Sequence, residues 1–146
     1  MTLPRDPSAL DPSAVEPSAP AARKRVLLIG LHPRAVDFTA VKGLDEATLT
    51  AGLATAYDDV VAAGFDAEWC LTDADWASAG PMVAAKLAGQ RLAAVVIGAG
   101  IRTIPAHFLL FEQILNLVHE RAPDARLCFN TSPASTRDAV LRWVQP

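Results

Sequence analysis

Apolar residues fall along this chain in two alternating patterns. Val26-Leu27-Leu28-Ile29-Gly30 is a continuous apolar run, which predicts a strand buried on both faces, as in a parallel sheet. From Asp45 to Ala63 the spacing changes to that of a helix, with Leu49, Leu53, Ala56 and Val60 on one stripe. Asp45 can cap that helix and Gly64 can stop it. Ala67-Glu68-Trp69-Cys70-Leu71 predicts a second strand, whose alternation fits an edge position with one wetter face. Pro81 to Ala88 reads as a short helix, with proline at its start and Gly89 at its end. Leu92 to Ile97 is the third strand.

Ala106 to Arg121 reads as the third long helical segment, with Thr103 as its cap and Pro105 in its first turn. Phe108, Leu110, Phe111, Ile114, Leu115, Leu117 and Val118 make a wide apolar face, and Leu109 falls outside it. Pro123-Asp124 turns the chain into a fourth strand, Arg126-Leu127-Cys128-Phe129. Ser132-Pro133 opens a last helix through Ala139, Val140 and Trp143. A strand–helix unit repeated four times implies an α/β fold, a parallel sheet with helices on both faces. Right-handed crossovers give the strand order 2-1-3-4, a flavodoxin-like or Rossmann-like three-layer sandwich. Cys70 and Cys128 then lie on opposite edges, too far apart for a disulfide, and read as buried, reduced and inert.

Composition divides the chain. Asp6-Pro7-Ser8-Ala9, Asp11-Pro12-Ser13-Ala14 and Glu16-Pro17-Ser18-Ala19 form a degenerate five-residue repeat. Regular proline blocks helix, and small polar residues bury too little to offset ordering entropy. Residues 1–23 therefore read as a disordered tail, and residues 24–146 as a single domain. The chain is 51% hydrophobic, with a formal net charge of −3. That balance implies no broad basic surface and no nucleic-acid partner. No apolar run approaches the roughly 20 residues of a membrane helix, and the N-terminus lacks the apolar stretch of a signal peptide. The expectation is a cytoplasmic protein with no membrane partner.

Candidate chemistry concentrates after the third strand, in Gly98-Ala99-Gly100-Ile101-Arg102-Thr103 and on to His107. A glycine-rich turn between strand and helix offers backbone N–H groups to an anion. In the expected topology this turn meets the loop after the first strand, which carries His32 and Arg34, and the Asn130-Thr131 step after the fourth. Two arginines among polar groups suggest a pocket for a phosphate or carboxylate. Gly98, Gly100, Arg102, Thr103, Arg34, Asn130 and Thr131 are its candidate ligand-binding residues. His107, with His32, is the candidate for acid–base catalysis. Plainer roles are open to each. The glycines can serve only the turn, Arg102 can pair with Glu112 or Asp37, Arg34 can pair with Asp37, and Thr103 and Ser132 can be helix caps. A dinucleotide fingerprint is incomplete, since Thr103 stands where its third glycine would fall. No Walker loop or Gly-x-Ser-x-Gly elbow occurs. The two histidines lack an evident third metal ligand, and no cofactor is indicated.

The segments Val-Ile-Gly-Ala-Gly-Ile-Arg-Thr, Phe108-Leu109-Leu110-Phe111-Glu112 and Cys128-Phe129-Asn130-Thr131 resemble those of a small uncharacterised Rossmann-like α/β family. The resemblance spans residues 24–144. It implies a stand-alone Rossmann-like domain and brings no catalytic role with it. The functional expectation is a small-molecule-binding domain with an anion pocket. The alternatives are an enzyme using His107 and a homodimeric module built on the third helix or the edge strands.

Overall fold

The computed structural model describes residues 22–146. The tail assignment, residues 1–23, lies outside the described residues apart from its last two. The elements in chain order are β1 (Arg25–Leu31), α1 (Glu46–Ala62), β2 (Asp66–Thr72), α2 (Trp76–Leu87), β3 (Ala94–Ile97), α3 (Ala99–Arg102), α4 (Phe108–Arg121), β4 (Arg126–Phe129) and α5 (Thr136–Leu141). The four strands form one parallel sheet in the order β2-β1-β3-β4. The expected α/β topology is therefore the one found, with β1 and β3 central.

Alternation along β1 builds both halves of the core. Leu27 and Ile29 face α2, α3 and α4, where they meet Val83, Ile101 and Ile114. Val26 and Leu28 face α1 and α5, where they meet Val60, Ala139 and Val140. All of these side chains are buried, and full burial of a residue of this size is worth about 1.5–3 kcal/mol relative to exposure. The edge strand β2 is wetter, as its alternation predicts. Cys70 and Cys128 are buried free thiols on the two edge strands.

Several boundaries differ from the sequence reading: the third strand starts at Ala94 rather than Leu92, and the last helix covers Thr136–Leu141, after a separate 3-10 turn at Pro133–Ser135. The second helix begins at Trp76, five residues before Pro81, because the Asp75 carboxylate accepts the Ser78 N–H at 2.9 Å and caps it. The Trp76 ring then lies against Gly80, where an added Cβ would stand 3.0 Å from the indole. The helix expected over Ala106 to Arg121 starts at Phe108, after a separate 3-10 turn at Pro105–His107. Thr103 does not cap it. Its N–H and hydroxyl both donate to the Ala99 carbonyl, at 2.8 and 2.7 Å, and so close the end of α3. Phe108, expected on the core face, is 64% exposed. It is the first residue of α4, while Leu110, Ile114 and Val118 carry the buried stripe.

Candidate functional site

The central strands end side by side, each near a glycine. Gly30, the last residue but one of β1, lies under the Trp69 ring, where an added Cβ would come within 3.3 Å of the indole. Gly98 follows β3, and its N–H donates to the Ile29 carbonyl at 2.8 Å. A Cβ there would meet that same carbonyl oxygen at 3.3 Å. The two glycines thus let the chain turn away close to the sheet. A cleft of about 640 Å³ opens above them, within the size range of small-molecule sites.

The cleft has an apolar side and a polar lip. Leu49 and Leu53 of α1 line it together with Trp69, and the 36–44 segment adds Val36, Val41 and Leu44. Trp69 is held by its indole N–H, which donates to the Leu53 carbonyl at 3.0 Å. The lip carries Gly100, Thr103 and His107 from one side and Asn130, Thr131 and Ser132 from the other. Lys42 and Asp37 are the charged residues of the lining. Asp37 is already engaged: the Thr39 hydroxyl and N–H both donate to it, which lowers its pKa from the usual carboxylate value.

Of the sequence candidates, Gly98, Gly100, Thr103, His107, Asn130 and Thr131 meet at this cleft. Asn130 is 4% exposed and works as a brace. Its Oδ1 accepts the Ala99 N–H at 2.9 Å and its Nδ2 donates to the Thr136 hydroxyl at 3.0 Å. Thr131 is tied back by the Ser135 hydroxyl, which accepts its N–H at 3.0 Å. The Ala99 N–H is committed to Asn130, so Gly100 carries the uncommitted N–H of the turn.

The two arginines do not join them. The Arg34 guanidinium donates to Asp73 at 3.1 Å, not to Asp37. That bond, with a second from the Ser78 hydroxyl, lowers the Asp73 pKa. Arg102 pairs with neither Glu112 nor Asp37. It donates to the Ile97 carbonyl at 2.8 Å and lies over the Phe129 ring, 5.1 Å from its centre. Burial lowers the Arg102 pKa, and the group stays cationic. Phe129 meets Phe111 edge to face at 6.1 Å. Arg102 therefore closes the sheet end on the side away from the cleft.

The histidines part as well. The His32 Nδ1 accepts the Arg34 N–H at 3.1 Å, which caps the 3-10 turn Pro33–Ala35. Its ring borders a smaller hollow of about 240 Å³ behind Trp69. The His107 Nδ1 lies 3.2 Å from the Gly100 carbonyl. A carbonyl only accepts, so Nδ1 is the donor in this contact.

The apolar lining is what the sequence reading left out. Leu49 and Leu53 lie on the stripe that also carries the buried Ala56 and Val60, and the helix extends that stripe past the end of the sheet. Trp69 occupies the half-buried face of an edge strand. Both signals were present, but each reads equally well as core. Comparison of the chain with protein-family models, with curated proteins and with solved structures finds no match.

Proposed function

We propose that this Rossmann-like domain binds a small amphipathic molecule in the cleft above Gly30 and Gly98. Its apolar body would lie between Leu49, Leu53, Trp69 and the 36–44 segment. A single anionic group, a phosphate or carboxylate, would sit at the lip against the Gly100 N–H and Lys42. The observation that carries this reading is the pairing of an apolar wall with a polar lip in one 640 Å³ cleft at the strand-order reversal. The ionised Asp37 beside Lys42 disfavours a highly charged ligand, so a monocarboxylate or phosphomonoester fits better than a polyphosphate.

A thermal-shift panel of aromatic and aliphatic carboxylates, phosphomonoesters, nucleotides and flavins tests the reading, since a ligand of the folded state raises the midpoint by mass action. A Cβ on Gly100 meets nothing within 4 Å, so Gly100→Leu extends a side chain from the lip without a clash at its first carbon, and circular dichroism checks that the variant is folded. A shift present in the wild type and lost in Gly100→Leu is the expected result. A panel without hits, or hits that Gly100→Leu leaves untouched, would remove the cleft as the site.

The contact of His107 Nδ1 with the Gly100 carbonyl supports a second reading, in which the cleft is catalytic and the other ring nitrogen, Nε2, takes a proton from the bound substrate. It predicts turnover that disappears in His107→Gln, with binding retained.

A further inference from the structure

The end of the sheet opposite the cleft holds a groove of about 830 Å³, and its chemistry is different. Five of the chain's thirteen Lys and Arg residues line it: Arg23, Lys24, Arg25, Arg91 and Arg126. Among the described residues Asp124 is the one carboxylate of its lining. A chain with net charge −3 thus gathers a local excess of positive charge along the N-terminal ends of β1, β3 and β4. The whole-chain balance, from which no nucleic-acid partner was expected, averages this away.

Three of the cations are fixed in place by the fold. Arg23 donates to the Val61 carbonyl at 3.0 Å, Lys24 to the Gln145 carbonyl at 2.9 Å, and Arg25 lies 4.0 Å from Glu68. Glu68 also pairs with Lys86, so Arg25 is only partly neutralised. Arg91 and Arg126 make no ion pair among the described residues. Trp143 lines the same groove with 58% of its surface exposed. A large exposed aromatic beside a row of cations is the combination that holds single-stranded nucleic acid. The cations follow the phosphates, and a base stacks on the ring, whatever its sequence.

We propose that this groove is a binding site for single-stranded nucleic acid, with Arg91 and Arg126 on phosphates and Trp143 under a base. A purely electrostatic polyanion surface would have no use for an exposed indole, and Trp143 decides between the two.

The test is fluorescence anisotropy of a labelled ten-nucleotide oligothymidylate titrated with the full chain at low salt. Binding is expected to weaken with salt, with a log–log slope of about −0.7 per phosphate contacted. The charge reversal Arg91→Glu/Arg126→Glu is expected to weaken it at least tenfold, and Trp143→Ala several-fold, with loss of the tryptophan quenching that the oligonucleotide produces. Because Trp143 precedes the buried Val144, Trp143→Leu serves as the apolar control for folding and should bind as weakly as Trp143→Ala. Absence of binding at low salt would overturn the proposal, as would full affinity in the charge reversal. So would equal competition by polyglutamate with no effect of either Trp143 variant, which would leave a generic polyanion surface.

Discussion

The Asn130 side chain reaches across 31 positions of sequence to accept the Ala99 N–H at 2.9 Å. It holds the start of α3 against the end of β4 and, through Thr136, the start of α5. Three segments that shape the cleft lip thus share one carboxamide. Asn130→Ala removes the acceptor of a partly buried N–H and a partner of the Thr136 hydroxyl, which keeps its bond to the Pro133 carbonyl at 2.7 Å. Stranding a buried polar group costs about 1–3 kcal/mol. Urea unfolding of Asn130→Ala should show a loss in that range, at an unchanged denaturant slope. A loss below about 0.5 kcal/mol would mean that water replaces the carboxamide and that the lip is not braced by it.

Arg102 and the cleft should be separable. Its guanidinium donates to Ile97 and stacks on Phe129, and the cleft lining does not include it. Arg102→Ala is expected to cost about 1–2 kcal/mol, from one lost hydrogen bond and one lost cation–π contact. Any ligand found for the cleft should keep its affinity in Arg102→Ala and in Arg34→Ala, and lose it in Lys42→Ala or Gly100→Leu. Calorimetric titration of the four variants checks this. A ligand that depends on Arg102 would place the anion on the other side of α3.

The sheet was legible because each strand announces itself locally. Val26 to Ile29 and Val95 to Ile97 have no polar residue to place on a wet face, so both strands must be central. Once they are, Gly98 to Gly100 and Asn130 are brought to one end of the sheet by topology alone. Where the arginines point could not be read this way. A guanidinium on a three-carbon stem chooses among carbonyls, carboxylates and rings within several ångströms. Asp73, Ile97 and Phe129 become neighbours of Arg34 and Arg102 only in three dimensions. The cleft wall was hidden for another reason, since Leu49 and Leu53 have the same sequence signature whether the sheet covers them or ends beneath them.

The second helix runs through Pro81, which has no N–H to give to the Ala77 carbonyl and crowds it with its ring. Pro81 is exposed, so Pro81→Ala restores the bond without opening a cavity. A helix-interior proline costs about 3 kcal/mol against alanine, offset by roughly 0.4–1 kcal/mol of lost chain stiffness in the unfolded state. The variant should be more stable by about 2–2.6 kcal/mol. Gly80→Ala should gain less than the roughly 1 kcal/mol that alanine brings to a helix interior, because its Cβ would meet the Trp76 indole at 3.0 Å. Thermal melts of both variants check this. A Pro81→Ala protein less stable than the wild type would show that the Asp75 cap does not start this helix.

Cys70 and Cys128 give the chain its alkaline limit. Burial pushes both thiols up to about 11, against about 8.5 in an unfolded chain. Between those values the unfolded state gives up two protons that the folded state retains. Stability is therefore intact below about pH 8.5 and falls as pH rises towards 11, by at most about 3 kcal/mol for each thiol. Native protein at pH 8 should react with a disulfide reagent far more slowly than protein unfolded in urea. Denaturation curves at pH 8 and pH 10.5 should differ more for the wild type than for Cys70→Ala/Cys128→Ala, although the variant starts less stable from its two small cavities. Equal losses in the two proteins would assign the alkaline limit to other groups and show that water reaches both edge strands.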